Sequence, residues 1–483
     1  MINKIMQQSA EAFVSYRKTS AESRAVFLET IAANIESLGE ELIGKASEET
    51  NLPAPRLTGE RGRTTMQLRM FAQMLREGSW VEASIDTANP DKVPAKPDLR
   101  KMLIPMGPVV VFGASNFPFA YSTAGGDTAS ALAAGCTVVV KGHPAHLQTS
   151  TLVAGAIEAA IVACNMPAHT FQHVTDSSFE AGKALVQHDE TAAVGFTGSY
   201  TGGRALWDYA AARKNPIPVF SEMGSINPVV LLPDTLDVNT ESVAKQYAGS
   251  ITLGMGQFCT NPGLLIAIQG EGLNRFLDVL SKEIDAVVPA KMLHKGIHKA
   301  YFEKMEAALN QKGVKLVARS SATPGDMEAQ PSVATVEAGV FLEDPLLHEE
   351  VFGPYSLLVI CKDEAELKAV WRSLTGQLTT TLMGTDKDFA THHSLLDIAP
   401  SIAGRIVFNG VPTGVDVSAS MVHGGPYPAS TDSRFTAVGV NAVKRWVRPV
   451  CYQSCPDALL PDELKAANPL GIWRLVDNVW KKD

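Results

Sequence analysis

The chain has 483 residues, more than one hydrophobic core normally organises, so two or three domains are expected. Its 45% apolar content, mean hydropathy of +0.03 and scattered charges summing to −9 exclude a disordered chain and a general footprint for nucleic acid or an anionic membrane. No apolar run reaches membrane-spanning length, and MINKIMQQSAEAF lacks the continuous apolar core of a secretion signal, so a cytoplasmic location is expected.

Helical periodicity opens the chain, over Ala10 to Tyr16, Arg24 to Ile43 and Arg61 to Arg76. From Val81 to Arg100 the period fails, because Pro90, Pro94 and Pro97 forbid regular helix, and an extended arm is expected. Strands then alternate with helices: strands at 109–117, 137–142, 171–174 and 192–198, and around IPVFSEM and PVVLL. Between them lie an Ala-rich helix to Ala134 and helices at 147–164, 179–186 and 199–212. That alternation means a parallel sheet covered on both faces, in which ligands lie at the carboxyl ends of the strands. A second α/β set starts near Asp234, and the tail after Val440 has no helical period until about Pro461.

The most distinctive segment is GMGQFCTNPG, around Cys259. Its glycines let backbone approach a ligand, Thr260 and Asn261 form turns and caps, and Pro262 blocks a continuing helix. A nucleophile on a loop and a buried structural thiol both fit that pattern. The other five cysteines are dispersed, which argues against a disulfide framework. Cys451 and Cys455 form CxxxC without a nearby histidine, and HEE at 348–350 is not HExxH, so no metal site is expected.

Polar groups also stand where strands end. Asn116 carries two amide donors that either hold an oxyanion or cap the next helix. Lys141 either meets ribose or phosphate or is solvated. Gly198 and Ser199 open a helix directly after AAVGFT, offering free N–H groups to a pyrophosphate, although the segment is not GxGxxG. Glu222, set among Phe220, Met223 and Ile226, is a candidate general base or a turn charge. Glu350 and Phe352 lie in HEEVFGP, a turn whose ring can pack against a flat ligand.

In this order, Asn-Phe-Pro, the strand-end lysine, FTGS, EMG, the cysteine and EEVFGP resemble the aldehyde dehydrogenase superfamily, from about residue 10 to the tail. The resemblance implies an α/β fold with a Rossmann-like cofactor domain over 1–230, including an oligomerisation arm at 85–107. It further implies a catalytic domain over 231–424, and a return to the cofactor and oligomerisation region over 425–483, with the tail beside the arm. Cys259 would attack an aldehyde, Asn116 and the cysteine N–H would hold the oxyanion, and Glu222 would activate the water that releases a free acid. Lys141, His143, Gly198, Ser199, Glu350 and Phe352 would bind the cofactor. A homodimer or homotetramer acting on a small aldehyde is implied, with no nucleic-acid or membrane partner.

Two positions depart from the family pattern. Pro144 replaces a glutamate that would repel a 2′-phosphate, so NADP is expected ahead of NAD, helped by Lys141 and His143. The chain also begins almost at its first helix, where the family usually has a further strand-rich segment. KGHPAH, EMGSINPVVLLP, HGGPYPASTDSRFTAVG and the tail resemble the members that oxidise 2,5-dioxopentanoate (α-ketoglutaric semialdehyde) to 2-oxoglutarate. Arg434 is the candidate for its carboxylate, or else a structural ion pair. An NADP-linked fatty aldehyde dehydrogenase is the alternative, with a pocket lined by Phe117, Phe258 and Phe435. A cysteine hydrolase or acyltransferase would use only Cys259 and Glu222, and needs an activating histidine that no motif supplies.

Overall fold

The computed structural model describes residues 1–482. A five-stranded parallel sheet is built from the Val-rich runs that sequence periodicity marks, in the order Phe171–Val174, Val138–Lys141, Val109–Phe112, Ala193–Thr197, Val219–Glu222. Val109, Val110, Val138, Val139, Val140, Ala193 and Val194 are fully buried, because helices cover both faces of the sheet. Strand order reverses on either side of Val109–Phe112, so the crevice beyond Phe112 and Thr197 is the switch point where such sheets take ligands.

A second sheet has seven strands, in the order Lys315–Arg319, Ser332–Glu337, Tyr355–Cys361, Leu264–Ile268, Val229–Leu231, Gln377–Met383, Ala403–Phe408. Only its first strand runs antiparallel. The proline-bearing arm contributes Ser84–Asp86 and Leu99–Pro105 to a third sheet, where Val447–Gln453 pairs along the whole of Leu99–Pro105. Arg474–Val476 and Val479–Lys481 complete this sheet, so the segment beyond Pro461 holds a short turn and a hairpin in place of the helix expected there. Pro469 and Gly471 interrupt any helix in that stretch.

The amino-terminal helices differ from expectation at their ends. One helix over Arg24 to Ile43 is in fact two, Ala21–Ser37 and Gly39–Thr50, divided where Gly39 takes a φ of +53°. The first strand stops at Phe112, because Gly113 lies against Ser122, where a Cβ would come within 2.8 Å of backbone. The long helix Ala54–Glu77 ends on Gly78, at φ +83°. A buried ion pair of 2.7 Å between Arg445 and Asp127, with Trp446 Nε1 donating to Ser130 Oγ, ties the carboxyl-terminal return onto helix Gly126–Ala134.

The cysteine loop lies directly on the EEVFGP turn. Gly256 has a φ of +61°, and a Cβ there would sit 2.2 Å from the Gly353 carbonyl; a Cβ on Gly353 would enter the Tyr301 ring. Gly256→Ala therefore has to strain backbone and separate two backbones, at a cost of about 1–3 kcal/mol. Thermal unfolding should show a lower Tm for this variant, and an unchanged Tm would mean that the loop has room this contact denies.

Candidate active site

Asn227 fixes the cysteine loop. It is fully buried with a φ of +48°, and its Nδ2 donates to the carbonyls of Cys259 and Asn261, each at 2.9 Å. Gln377 Oε1 accepts from the Ile226 N–H at 2.8 Å and from Ser225 Oγ at 2.9 Å, so the turn after Glu222 and the cysteine loop share one buried polar hub. Groups of this kind stay buried only when paired, which makes the hub rigid.

Two further side chains meet the Cys259 sulfur. His423 Nε2 lies 3.6 Å from Sγ and 2.9 Å from Glu222 Oε1, and both His423 and Glu222 are buried. The chain brings His423 there because residues 429–431 run antiparallel against the edge strand: Met223 N–H donates to the Ala429 carbonyl at 2.8 Å, and Glu222 bridges Ser430. The His423 N–H donates to Thr436 Oγ1 at 2.9 Å, which fixes its backbone. Burial first, then the Glu222 and Glu350 carboxylates, push the Cys259 thiol well above its ordinary range. A thiol held protonated needs an acceptor as it attacks, and the His423–Glu222 pair is in place for that. The histidine that the sequence reading found missing for cysteine chemistry is thus present. The Cys, His and Glu ligand atoms lie within 4.8 Å of one another, the one such cluster among the described residues.

Asn116 is held from two sides. Its Nδ2 donates to the Gln257 carbonyl at 3.1 Å, and Arg56 Nη2 donates to its own carbonyl at 2.7 Å. One amide N–H therefore remains for a ligand beside the cysteine loop.

The groups expected to meet a dinucleotide stand around the switch point. Lys141 is buried at a strand end and forms no ion pair among the described residues; burial lowers its ammonium pKa, with Asp176 opposing. Gly198 leaves no room for a Cβ, which would sit 2.6 Å from the Phe196 ring, and Ser199 Oγ caps helix Tyr200–Ala211 by accepting from the Gly202 N–H. Glu350 accepts weakly from the Ser225 N–H at 3.4 Å, and burial pushes its carboxyl up to about 7. It shares a cavity with Phe352, Phe258, Gly256 and Ser225. A buried unpaired ammonium, a helix start without a Cβ and an uncompensated carboxylate fit the phosphates and riboses of NAD(P). His143 behaves otherwise. It stacks on His146 at 5.2 Å and accepts from the Ala145 N–H, while burial, His146, His294 and Lys141 drive its pKa down to about 3. A neutral imidazole adds no charge for a phosphate.

The substrate wall differs from the expected one. Phe117 and Phe258 meet edge to face at 5.7 Å, joined by Tyr121, 5.3 Å from Phe117. Phe435 instead packs on Phe220 at 5.2 Å and lines a separate cavity with Phe196, Glu222 and His423. Arg434 is no carboxylate ligand here: its side chain is 78% exposed and forks onto Asp432, two residues earlier, at 2.5 Å. Local hydrogen bonding to Asp432 makes it the structural ion pair that the sequence left open as the alternative. Sequence reading passed over His423, Asn227 and Tyr121. His423 lies in HGGPYP, a segment already noted, but no period or spacing ties it to a cysteine 164 residues away.

Comparison with known proteins follows the same line. Residues 1–431 match the model of the aldehyde dehydrogenase family. The chain is 46% identical over 480 residues to an alpha-ketoglutaric semialdehyde dehydrogenase from Acinetobacter baylyi, covering 99% of this chain and 91% of that protein. It is 48% identical over 477 residues to alpha-ketoglutaric semialdehyde dehydrogenase 2 from Azospirillum brasilense, with the same coverage. The fold matches a mutant of proline utilization A from Bradyrhizobium japonicum with a TM-score of 0.78 at 22% identity, over 94% of this chain and 44% of that longer one. No helix among the described residues is long and apolar enough to cross a membrane. With a cysteine loop, a strand-end glutamate and a cofactor crevice in one α/β frame, this chain belongs to the aldehyde dehydrogenase family, NAD(P)-dependent oxidoreductases.

Proposed function

We propose that the protein oxidises 2,5-dioxopentanoate to 2-oxoglutarate, with Cys259 as nucleophile. The observation that carries the chemistry is the short contact of Glu222, His423 and Cys259 at the edge of the cofactor crevice. The two relatives above 45% identity, both named for α-ketoglutaric semialdehyde, support the substrate.

In this reading the Cys259 sulfur adds to the aldehyde carbon while the Glu222 carboxylate, held by His423, takes the thiol proton and passes it to solvent, so that it is ionised again for the second step. The new oxyanion is held by the Cys259 N–H and the remaining Asn116 N–H. NAD(P), when bound in the crevice, would supply the hydride acceptor for this thiohemiacetal, whose oxidation leaves a thioester on Cys259. Glu222 then takes a proton from water, the hydroxide adds to the thioester carbon, and the carbon–sulfur bond breaks to free the acid and the thiol. Lys141, the Gly198–Ser199 helix start, Glu350 and Phe352 hold the cofactor. Pro144 in place of a carboxylate favours NADP, with Lys141 rather than His143 as the cation near the 2′ position. The arm sheet offers its outer edge for assembly of a dimer or tetramer. An aliphatic aldehyde is the second reading, favoured by the aromatic wall of Phe117, Tyr121 and Phe258.

Absorbance of reduced nicotinamide should rise when the protein meets 2,5-dioxopentanoate and NADP, more slowly with NAD, and not at all in Cys259→Ala. Turnover by that variant would remove Cys259 as nucleophile. Glu350 gives a pH test. Its carboxyl, raised to about 7, accepts from ribose hydroxyls more strongly when ionised, so cofactor binding should weaken as pH falls through 7. Titration calorimetry with NADP between pH 6 and 8 should show that trend in the native protein and a flat profile in Glu350→Gln; identical profiles would place the ribose elsewhere.

A further inference from the structure

Two guanidinium groups on one helix face point to how the substrate's far end is held. Arg56, Glu60 and Arg63 lie on helix Ala54–Glu77 at intervals of four and three residues, so they share a face. That face covers the aromatic wall. The Arg56 guanidinium sits 5.1 Å from the Phe117 ring and 4.9 Å from the Phe258 ring, and Arg63 sits 5.5 Å from the Tyr121 ring.

Neither arginine has an ion pair within 4 Å among the described residues, and each keeps buried nitrogen without a partner: Arg56 Nη1 and Arg63 Nε. Arg63 makes one hydrogen bond, from Nη2 to the Tyr121 hydroxyl at 3.2 Å. The carboxylate on the same face, Glu60, gives its Oε1 to the N–H groups of Phe119 and Ala120 at 2.8 and 3.0 Å, while its Oε2 is buried without a hydrogen-bond partner and forms no ion pair with either arginine. Two cations therefore face one carboxylate, and an uncompensated positive charge is left beside a half-buried wall. Unpaired buried donors are uncommon, and a forked guanidinium is the group best shaped to take a carboxylate by two parallel hydrogen bonds.

The position fits the chemistry. Tyr121 is 5.9 Å ring to ring from His423, which touches Cys259. The aldehyde carbon and the carboxylate of a five-carbon oxo acid are separated by about 5 Å at ordinary bond lengths. Arg405 is the other arginine near the cysteine; its Nε has no partner, but both terminal nitrogens, which a bidentate carboxylate contact needs, are bound to the Pro412 and Gly414 carbonyls.

We propose that Arg63, with Tyr121 and Arg56 beside it, forms the subsite for the carboxylate of a short ω-oxo acid and so selects such aldehydes over neutral ones of equal length. The subsite rests on the reading that Cys259 attacks an aldehyde, and gives Arg63 the role that Arg434 cannot fill. A site built to pair a charged group discriminates strongly against analogues that lack it, because its own polar groups are then left unpaired.

The test compares kcat/KM for 2,5-dioxopentanoate and for pentanal in the native protein, Arg63→Met and Arg63→Lys, with glutarate as a competitive inhibitor of pentanal oxidation. The ratio of oxo acid to pentanal should fall about 100-fold in Arg63→Met, chiefly through KM, with part of it restored in Arg63→Lys, and inhibition by glutarate should weaken in parallel. Taking the ratio cancels any general effect on folding or on the thiol. A ratio unchanged by Arg63→Met, together with undiminished glutarate inhibition, would overturn the subsite. A native protein that prefers pentanal would instead overturn the substrate reading, and the glutarate comparison would still decide on Arg63.

Discussion

The site depends on one buried amide. Asn227 holds the carbonyls of Cys259 and Asn261 within the nucleophile's loop, from a left-handed conformation in the turn after the strand that ends in Glu222. Two structures that must be held to a fraction of an ångström, the carboxylate and the sulfur, thus belong to one hydrogen-bonded unit through Asn227, Ser225 and Gln377. The loop has no regular structure of its own, so without the hub its position would be set only by its glycine contacts with the EEVFGP turn.

Charge then divides the surroundings of Cys259. Toward the crevice stand carboxylates, Glu222 and Glu350, which with burial keep the thiol protonated until a base receives its proton. Toward the helix Ala54–Glu77 stand aromatic rings and arginines. A positive dinucleotide ring is favoured on the first side and a negative substrate end on the second, so one cysteine serves two ligands of opposite demand.

Local composition made much of the frame legible. The valine runs at 109–111 and 138–140 could be little but buried parallel strands, and prolines 90, 94 and 97 marked the arm. Glu222 was visible at the end of a strand and Cys259 on a loop flanked by glycines, and the structure brings them together. What stayed hidden depends on distant pairing. His423 reaches the sulfur because residues 429–431 add to the edge of the cofactor sheet, an event with no local period. Of the two roles the sequence left open for Arg434, the structure shows the ion pair, with a neighbouring aspartate, and Arg63, within a helix already read from its period, looks like any solvated arginine until Tyr121 is seen beneath it.

The central claim is that Glu222 hydrolyses a thioester formed on Cys259. Rapid acid quench of Glu222→Gln after mixing with NADP and aldehyde, followed by peptide mass spectrometry, tests it most directly. The account predicts about one acyl group per chain, on the peptide carrying Cys259, accumulating as one equivalent of reduced cofactor appears and turnover stops. Steady turnover with no acylated peptide, or an acyl group on another residue, would contradict it.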